Sequence, residues 1–128
     1  MLFFKKKEKK QEKAVSVKEV CSKEELIKQA EDKIKDLETL SGDERVAVLN
    51  EIGSLFTQAE EVDQAIRFYE ESLEICKQHG KASTDLMKLY NKKRQEAAQA
   101  KDDEKVKEYM DKVQSLMQMS KDIIRGNV

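Results

Sequence analysis

Residues 49–76 read LNEIGSLFTQAEEVDQAIRFYEESLEIC, and this stretch decides the fold. Leu49, Ile52 and Phe56 recur at three- and four-residue spacing. After a polar Glu60-Glu61 break come Val62, Ala65, Ile66, Tyr69, Leu73 and Cys76. Both runs have the period of an amphipathic helix rather than the alternation of a strand. The spacing predicts one helix over 44–59 and a second over 62–78, joined by a short turn. Val48 and Leu55 widen the apolar surface of the first helix, as expected of a helix packed on two flanks. Gly53 sits inside that helix, where glycine costs about 1 kcal/mol against alanine. Close approach of the two backbones offsets this cost, with Gly53 expected to face Ala65 and to have Ser72 nearby.

On the N-terminal side, Ser41-Gly42-Asp43-Glu44 combines a chain break with a capping box. A second box, Ser22-Lys23-Glu24-Glu25, opens a helix over 23–40 whose single stripe is Leu26, Ile27, Ala30, Ile34 and Leu37. One apolar stripe places this helix at the edge of the domain. Residues 1–21 form a Lys-rich arm, expected to be flexible. Met1-Leu2-Phe3-Phe4 precedes the lysines, the reverse of a signal peptide's order. The arm reads as a disordered soluble tail. The alternative is weak contact with an anionic membrane through residues 1–13.

On the C-terminal side, His79-Gly80 marks a helix end, where a cation suits the dipole. Ser83 or Thr84 can cap a helix over 84–100 that carries Leu86, Met87, Leu89, Tyr90 and Ala97. Shifted by 34 residues, Tyr90 falls where Phe56 stood. Gln99-Ala100-Lys101-Asp102 echoes Gln58-Ala59-Glu60-Glu61 at a shift of 41. Residues 83–124 therefore read as a diverged hairpin with lengthened helices. Its last helix, 103–124, carries a wide apolar stripe and stops at Gly126. Most of that stripe suits a core-facing, capping helix. Tyr109, Met110, Leu116, Met117 and Met119 are the candidate face for self-association, with a homodimer as its product.

Composition sets the bounds. Hydrophobic residues make up 38% and charged residues 40%, with no Pro, no Trp and four Gly, so the chain reads as all-α with a narrow core. One domain, 22–126, accounts for the helical segments. Residues 1–18 hold seven lysines against Glu8 and Glu12, a balance of +5 within a total of −1, which leaves −6 for the rest. An acidic body argues against nucleic acid as a partner. Cys21 and Cys76 make neither a disulfide framework nor a metal site, and they fit a reducing, cytoplasmic setting. No apolar run approaches the ~20 residues of a membrane span. The chain has no P-loop, no G-x-S-x-G, no H-E-x-x-H and no EF-hand loop. We therefore expect no enzyme, no cofactor and no metal.

The central residues resemble the tetratricopeptide repeat, a 34-residue helix–turn–helix with the pattern W-x₂-L-G-x₂-Y…A-x₃-F…P. Here the residues are Leu49, Ile52, Gly53 and Phe56, then Ala65 and Tyr69, with small Ser72 after them. Leu49 replaces the Trp, and Lys77 stands at the closing Pro, which would let the helix run on to Gln78 and His79. The resemblance covers residues 45–78 and is weak elsewhere. It implies a short right-handed array of about five antiparallel helices that binds a protein or peptide and does no catalysis. It also implies a concave groove lined by the first helix of each hairpin. By position, Asn50, Ser54 and Thr57 would face that groove, joined by Lys88, Asn91 and Lys92 from the next hairpin. Asn can hydrogen-bond an extended peptide backbone, and Lys can pair with a carboxylate.

Overall fold

The computed structural model describes residues 22–78 and 80–126. All regular structure among them is helical: α1 (Ser22–Asp36), a 3-10 turn (Leu37–Thr39), α2 (Gly42–Gln58), α3 (Val62–Ile75), α4 (Lys81–Gln99) and α5 (Asp103–Arg125). Five helices at these places match the apolar periodicity. The arm and His79 lie outside the described residues. So do the expectations of a disordered tail, of membrane contact through 1–13 and of a histidine at a helix end. The cap of α1 falls there too, because that helix already begins at Ser22.

Four boundaries differ from the sequence pattern, one of them at α4, which begins at Lys81 with Gly80 at its N-cap; Ser83 sits inside the helix, bonded back to Gly80, and neither it nor Thr84 is the cap. The first helix gives way at Leu37 instead of running to residue 40. The Leu37 carbonyl accepts from the Leu40 N–H at 3.2 Å and from Arg45 Nη1 at 2.6 Å, so it closes a tight turn and docks a side chain from α2. Arg45 Nη2 reaches on to Glu71 of α3 at 2.8 Å, tying three helices together. The box at Ser41 does not form: Ser41 is extended and makes no side-chain cap, and the chain enters α2 through Gly42 at φ 61. Finally, α3 ends at Ile75 although no proline stops it, with Cys76 extended (φ −145, ψ 109), short of the expected run to residue 78.

Helices pack substantially only on their neighbours in sequence: α1 on α2, α2 on α3, α3 on α4 and α4 on α5. A closed bundle would also pack its first helix on its last. The core runs along the array from Ala30 of α1, through Leu49, Ile52 and Phe56 of α2 and Tyr69 of α3, to Leu86 of α4 and Leu116 of α5. Gly53 finds its reason here. A Cβ built on it would lie 2.8 Å from Cδ1 and Cε1 of the Tyr69 ring. The nearest neighbour is that ring, a partner the expected pairing with Ala65 did not name. Phe56 and Phe68 stack beside this contact, with ring centroids 5.8 Å apart.

The two turns that echo one another in sequence share one geometry. After α2, Glu60 takes φ 62, the Glu60 N–H bonds the Thr57 carbonyl at 3.1 Å, and the Glu61 N–H bonds the Phe56 carbonyl at 2.9 Å. After α4, Lys101 takes φ 59, with its N–H on Ala98 at 3.1 Å and the Asp102 N–H on Ala97 at 2.9 Å. This 6→1 and 5→2 pairing is the Schellman motif. The helices around the second turn have 19 and 23 residues against 17 and 14 around the first.

Candidate binding groove

Asn50 lies on α2, one turn after the buried Val46 and beside the buried Leu49. Its side-chain oxygen is buried and accepts no hydrogen bond. An amide oxygen without a partner away from water costs about 1–3 kcal/mol, which marks Asn50 as a candidate acceptor for a bound donor. Asn50 lines a pocket of about 350 Å³ with Glu51, Ser54, Leu55 and Gln58 of α2, Lys33 of α1 and Lys81 of α4. The pocket therefore spans three helices. Lys33 pairs with Glu51 at 2.7 Å on one edge. On the other, Lys81 Nζ reaches Asp85 at 3.1 Å.

Asp85 lies behind Lys81, outside the lining itself. It accepts from the Tyr69 hydroxyl at 2.8 Å, so one carboxylate holds both the core ring behind Gly53 and the lysine at the rim. Burial, then the bond to Asp85, raises the Tyr69 pKa well above its usual value. At neutral pH Tyr69 is a fixed donor, and the ring that packs on Gly53 cannot easily swing away.

The groove residues expected from the sequence divide into three groups. Asn50 and Ser54 share the pocket, where Ser54 Oγ accepts from Gln58 Nε2 at 3.2 Å. Thr57 is half-buried outside it and donates to the Gly53 carbonyl of its own helix at 2.8 Å. Lys88 and Lys92 are exposed on α4 and Asn91 is half-buried; none of the three lines the pocket. Lys81, Lys88 and Lys92 stand at spacings of seven and four residues, which puts them on one face of α4 opposite the buried Leu86 and Tyr90. Sequence reasoning missed Lys81, although its place seven residues before Lys88 was the signal. It also missed Lys33, which arrives from α1 and has no local signal.

A larger pocket, about 470 Å³, lies between α3, α4 and α5, over Leu73, Leu86, Leu116 and Met119. Tyr90, Glu70 and Lys112 form a linked polar cluster along it. Tyr90 donates to Glu70, Lys112 Nζ approaches the same carboxylate at 3.1 Å, and Lys112 lies 5.6 Å from the Tyr90 ring centre. Burial and then Glu70 raise the Tyr90 pKa. No buried side-chain N or O atom in this pocket lacks a partner, so we place the candidate site at Asn50.

The expected association face is also redistributed. Leu116 is buried in the core, so it does not belong to an exposed face. Tyr109 and Met119 are partly buried against that core, and Met110 and Met117 are exposed. Among the described residues, no group of His, Cys, Asp or Glu could hold a metal ion, and no helix is long and apolar enough to cross a membrane. No family model matches the chain, and neither a curated protein nor a solved structure matches it.

Proposed function

We propose that the chain is a non-catalytic interaction module of tetratricopeptide-like design that binds an extended peptide segment carrying carboxylates. The observation that carries this reading is the unpartnered amide oxygen of Asn50 inside a pocket shared by three helices. An extended peptide offers a backbone N–H every residue, the donor that a buried amide oxygen lacks. The lysine face of α4 supplies the charge. That helix carries five basic residues against Asp85 and Glu96, within a body that is otherwise acidic. Lys88 and Lys92 lie on that face beyond Lys81, so a peptide seated at Asn50 and running along α4 meets cations in succession. Packing of each helix on its sequence neighbours supports an open array, which leaves such a face uncovered.

The test is selection of peptides from a displayed random library on the full chain, followed by titration against variants. Asn50→Ala should weaken the selected peptides about tenfold, the effect of losing one hydrogen bond at a desolvated site. Lys88→Ala with Lys92→Ala should weaken acidic peptides by a smaller factor that shrinks as salt rises. Selected peptides that bind both variants as tightly as the parent would remove the groove from consideration.

A further inference from the structure

Both lysines that line the pocket at Asn50 are already paired within the chain. Lys33 Nζ lies 2.7 Å from Glu51, and Lys81 Nζ lies 3.1 Å from Asp85. Two cations with two carboxylates leave this end of the groove without net charge. Lys88 and Lys92 differ. Both are exposed on α4, and neither side chain has an ion-pair partner among the described residues.

We propose that the pocket at Asn50 takes an uncharged residue of the peptide, that Lys88 and Lys92 read carboxylates only beyond it, and that Glu51 and Asp85 set this preference. The inference rests on the groove reading above and names the peptide that such a groove selects.

An ionised carboxylate only accepts hydrogen bonds. The Asn50 side-chain oxygen is itself a buried acceptor without a donor. A carboxylate placed there sets acceptor against acceptor. It also gives up hydration for no net attraction, since each lysine comes with its own carboxylate. A cationic side chain can donate to Asn50, but it loses hydration too and meets Lys33 and Lys81 as well as Glu51. A backbone N–H beside an uncharged side chain supplies the donor without burying a charge. Leu55 gives that side chain an apolar surface. Asp85 is held in place, because it also accepts from the Tyr69 hydroxyl at 2.8 Å and its side chain is only 16% exposed. Its charge is therefore a fixed counterweight beside Lys81.

The helix then sets a spacing. Lys88 and Lys92 stand seven and eleven residues after Lys81. That is about 10 and 16 Å along the axis, with all three within about 20° of one line down the helix. At about 3.3 Å per residue, an extended peptide covers those distances in about three and about five residues. The preferred ligand is an uncharged anchor with Asp or Glu about three and five positions to one side.

The test selects peptides from one random library on the full chain and on the double variant Glu51→Gln with Asp85→Asn. Asn at 85 can still accept from Tyr69, and urea unfolding of the variant keeps loss of stability separate from change of preference. The anchor is the peptide residue whose substitution loses its effect in Asn50→Ala. In the parent it should be uncharged, with acidic residues at the stated spacing. Replacing the anchor residue by Glu should weaken parent binding at least about fivefold. In the double variant, where Lys33 and Lys81 are left unpaired, that penalty should shrink by about two- to fivefold, and the difference should fade as salt rises. Peptides that bind through Asn50 but carry Asp or Glu at the anchor would overturn the inference while leaving the groove standing. So would a penalty unchanged in the double variant. Peptides indifferent to Asn50→Ala would overturn the groove reading and this inference with it.

Discussion

Gly53 and Tyr69 form the tightest local constraint in the domain. The Tyr69 ring is fully buried and its hydroxyl is held by Asp85, so a Cβ at 2.8 Å cannot be relieved by a simple swing of the ring. At an open helical site, Gly→Ala gains about 1 kcal/mol. Here Gly53→Ala should instead destabilise by about 1–3 kcal/mol, readable as a lower urea midpoint at unchanged slope. The sequence told that Gly53 needed a close neighbour. It could not tell that the neighbour was a ring, because that depends on how the helices cross. Tyr90 gives a second prediction. Its pKa is raised from the usual 10.0 by burial and by Glu70, so the unfolded chain loses this proton first as pH rises. The stabilisation is complete below pH 10 and declines above it. Tyr90→Phe should flatten part of that alkaline decline in a urea-unfolding series from pH 8 to pH 11. A decline of unchanged steepness would show that Tyr90 has no part in it. Asn50 was legible as a polar position, but not as one whose side-chain oxygen is buried, since that depends on residues from other helices such as Lys33 and Lys81 that share its pocket.

At the scale of elements, the turns carry the clearest regularity. Glu60 and Lys101 both adopt left-handed backbone at the C′ position, where glycine is the usual residue. A side chain there costs about 1–2 kcal/mol, offset in part by the greater unfolded-state freedom of glycine. Glu60→Gly and Lys101→Gly should each stabilise by about 0.5–1 kcal/mol, with nearly additive effects in the double variant, because the two turns are separate. A destabilising result at either site would mean that its side chain makes a contact worth more than the strain. The four-residue echo in the sequence was enough to find both turns, since a Schellman turn is built from local hydrogen bonds. Helix ends set by distant partners were not legible. The docking of Arg45 on Leu37 shapes the break after α1, and nothing near residues 37–40 announces it. Ser41 had the spacing of a capping box, yet the left-handed step at Gly42 takes the chain into α2 another way.

At the scale of the molecule, packing of consecutive helices leaves two kinds of surface. One is the polar face where α1, α2 and α4 meet around Asn50, continued by Lys81, Lys88 and Lys92. The other is the open apolar row of α5 at the end of the array. The apolar pattern made the helices and their order readable, because burial against sequence neighbours needs only local periodicity. It did not separate the inner face of α5 from the outer one. Leu116 and Met117 are adjacent in sequence and differ from 6% to 47% in exposure, a split decided by where α4 lies. The proposed function rests on the first surface. Its most direct measurement is an NMR titration of the full chain with a library-selected peptide, following backbone amides and the Asn50 side-chain amide. Shifts concentrated at Asn50, Ser54, Lys81 and Lys88, with the Asn50 side-chain signals among the most displaced, are the expected result. Shifts confined to α5 or to the pocket beneath Glu70, with Asn50 unmoved, would contradict a groove-binding function.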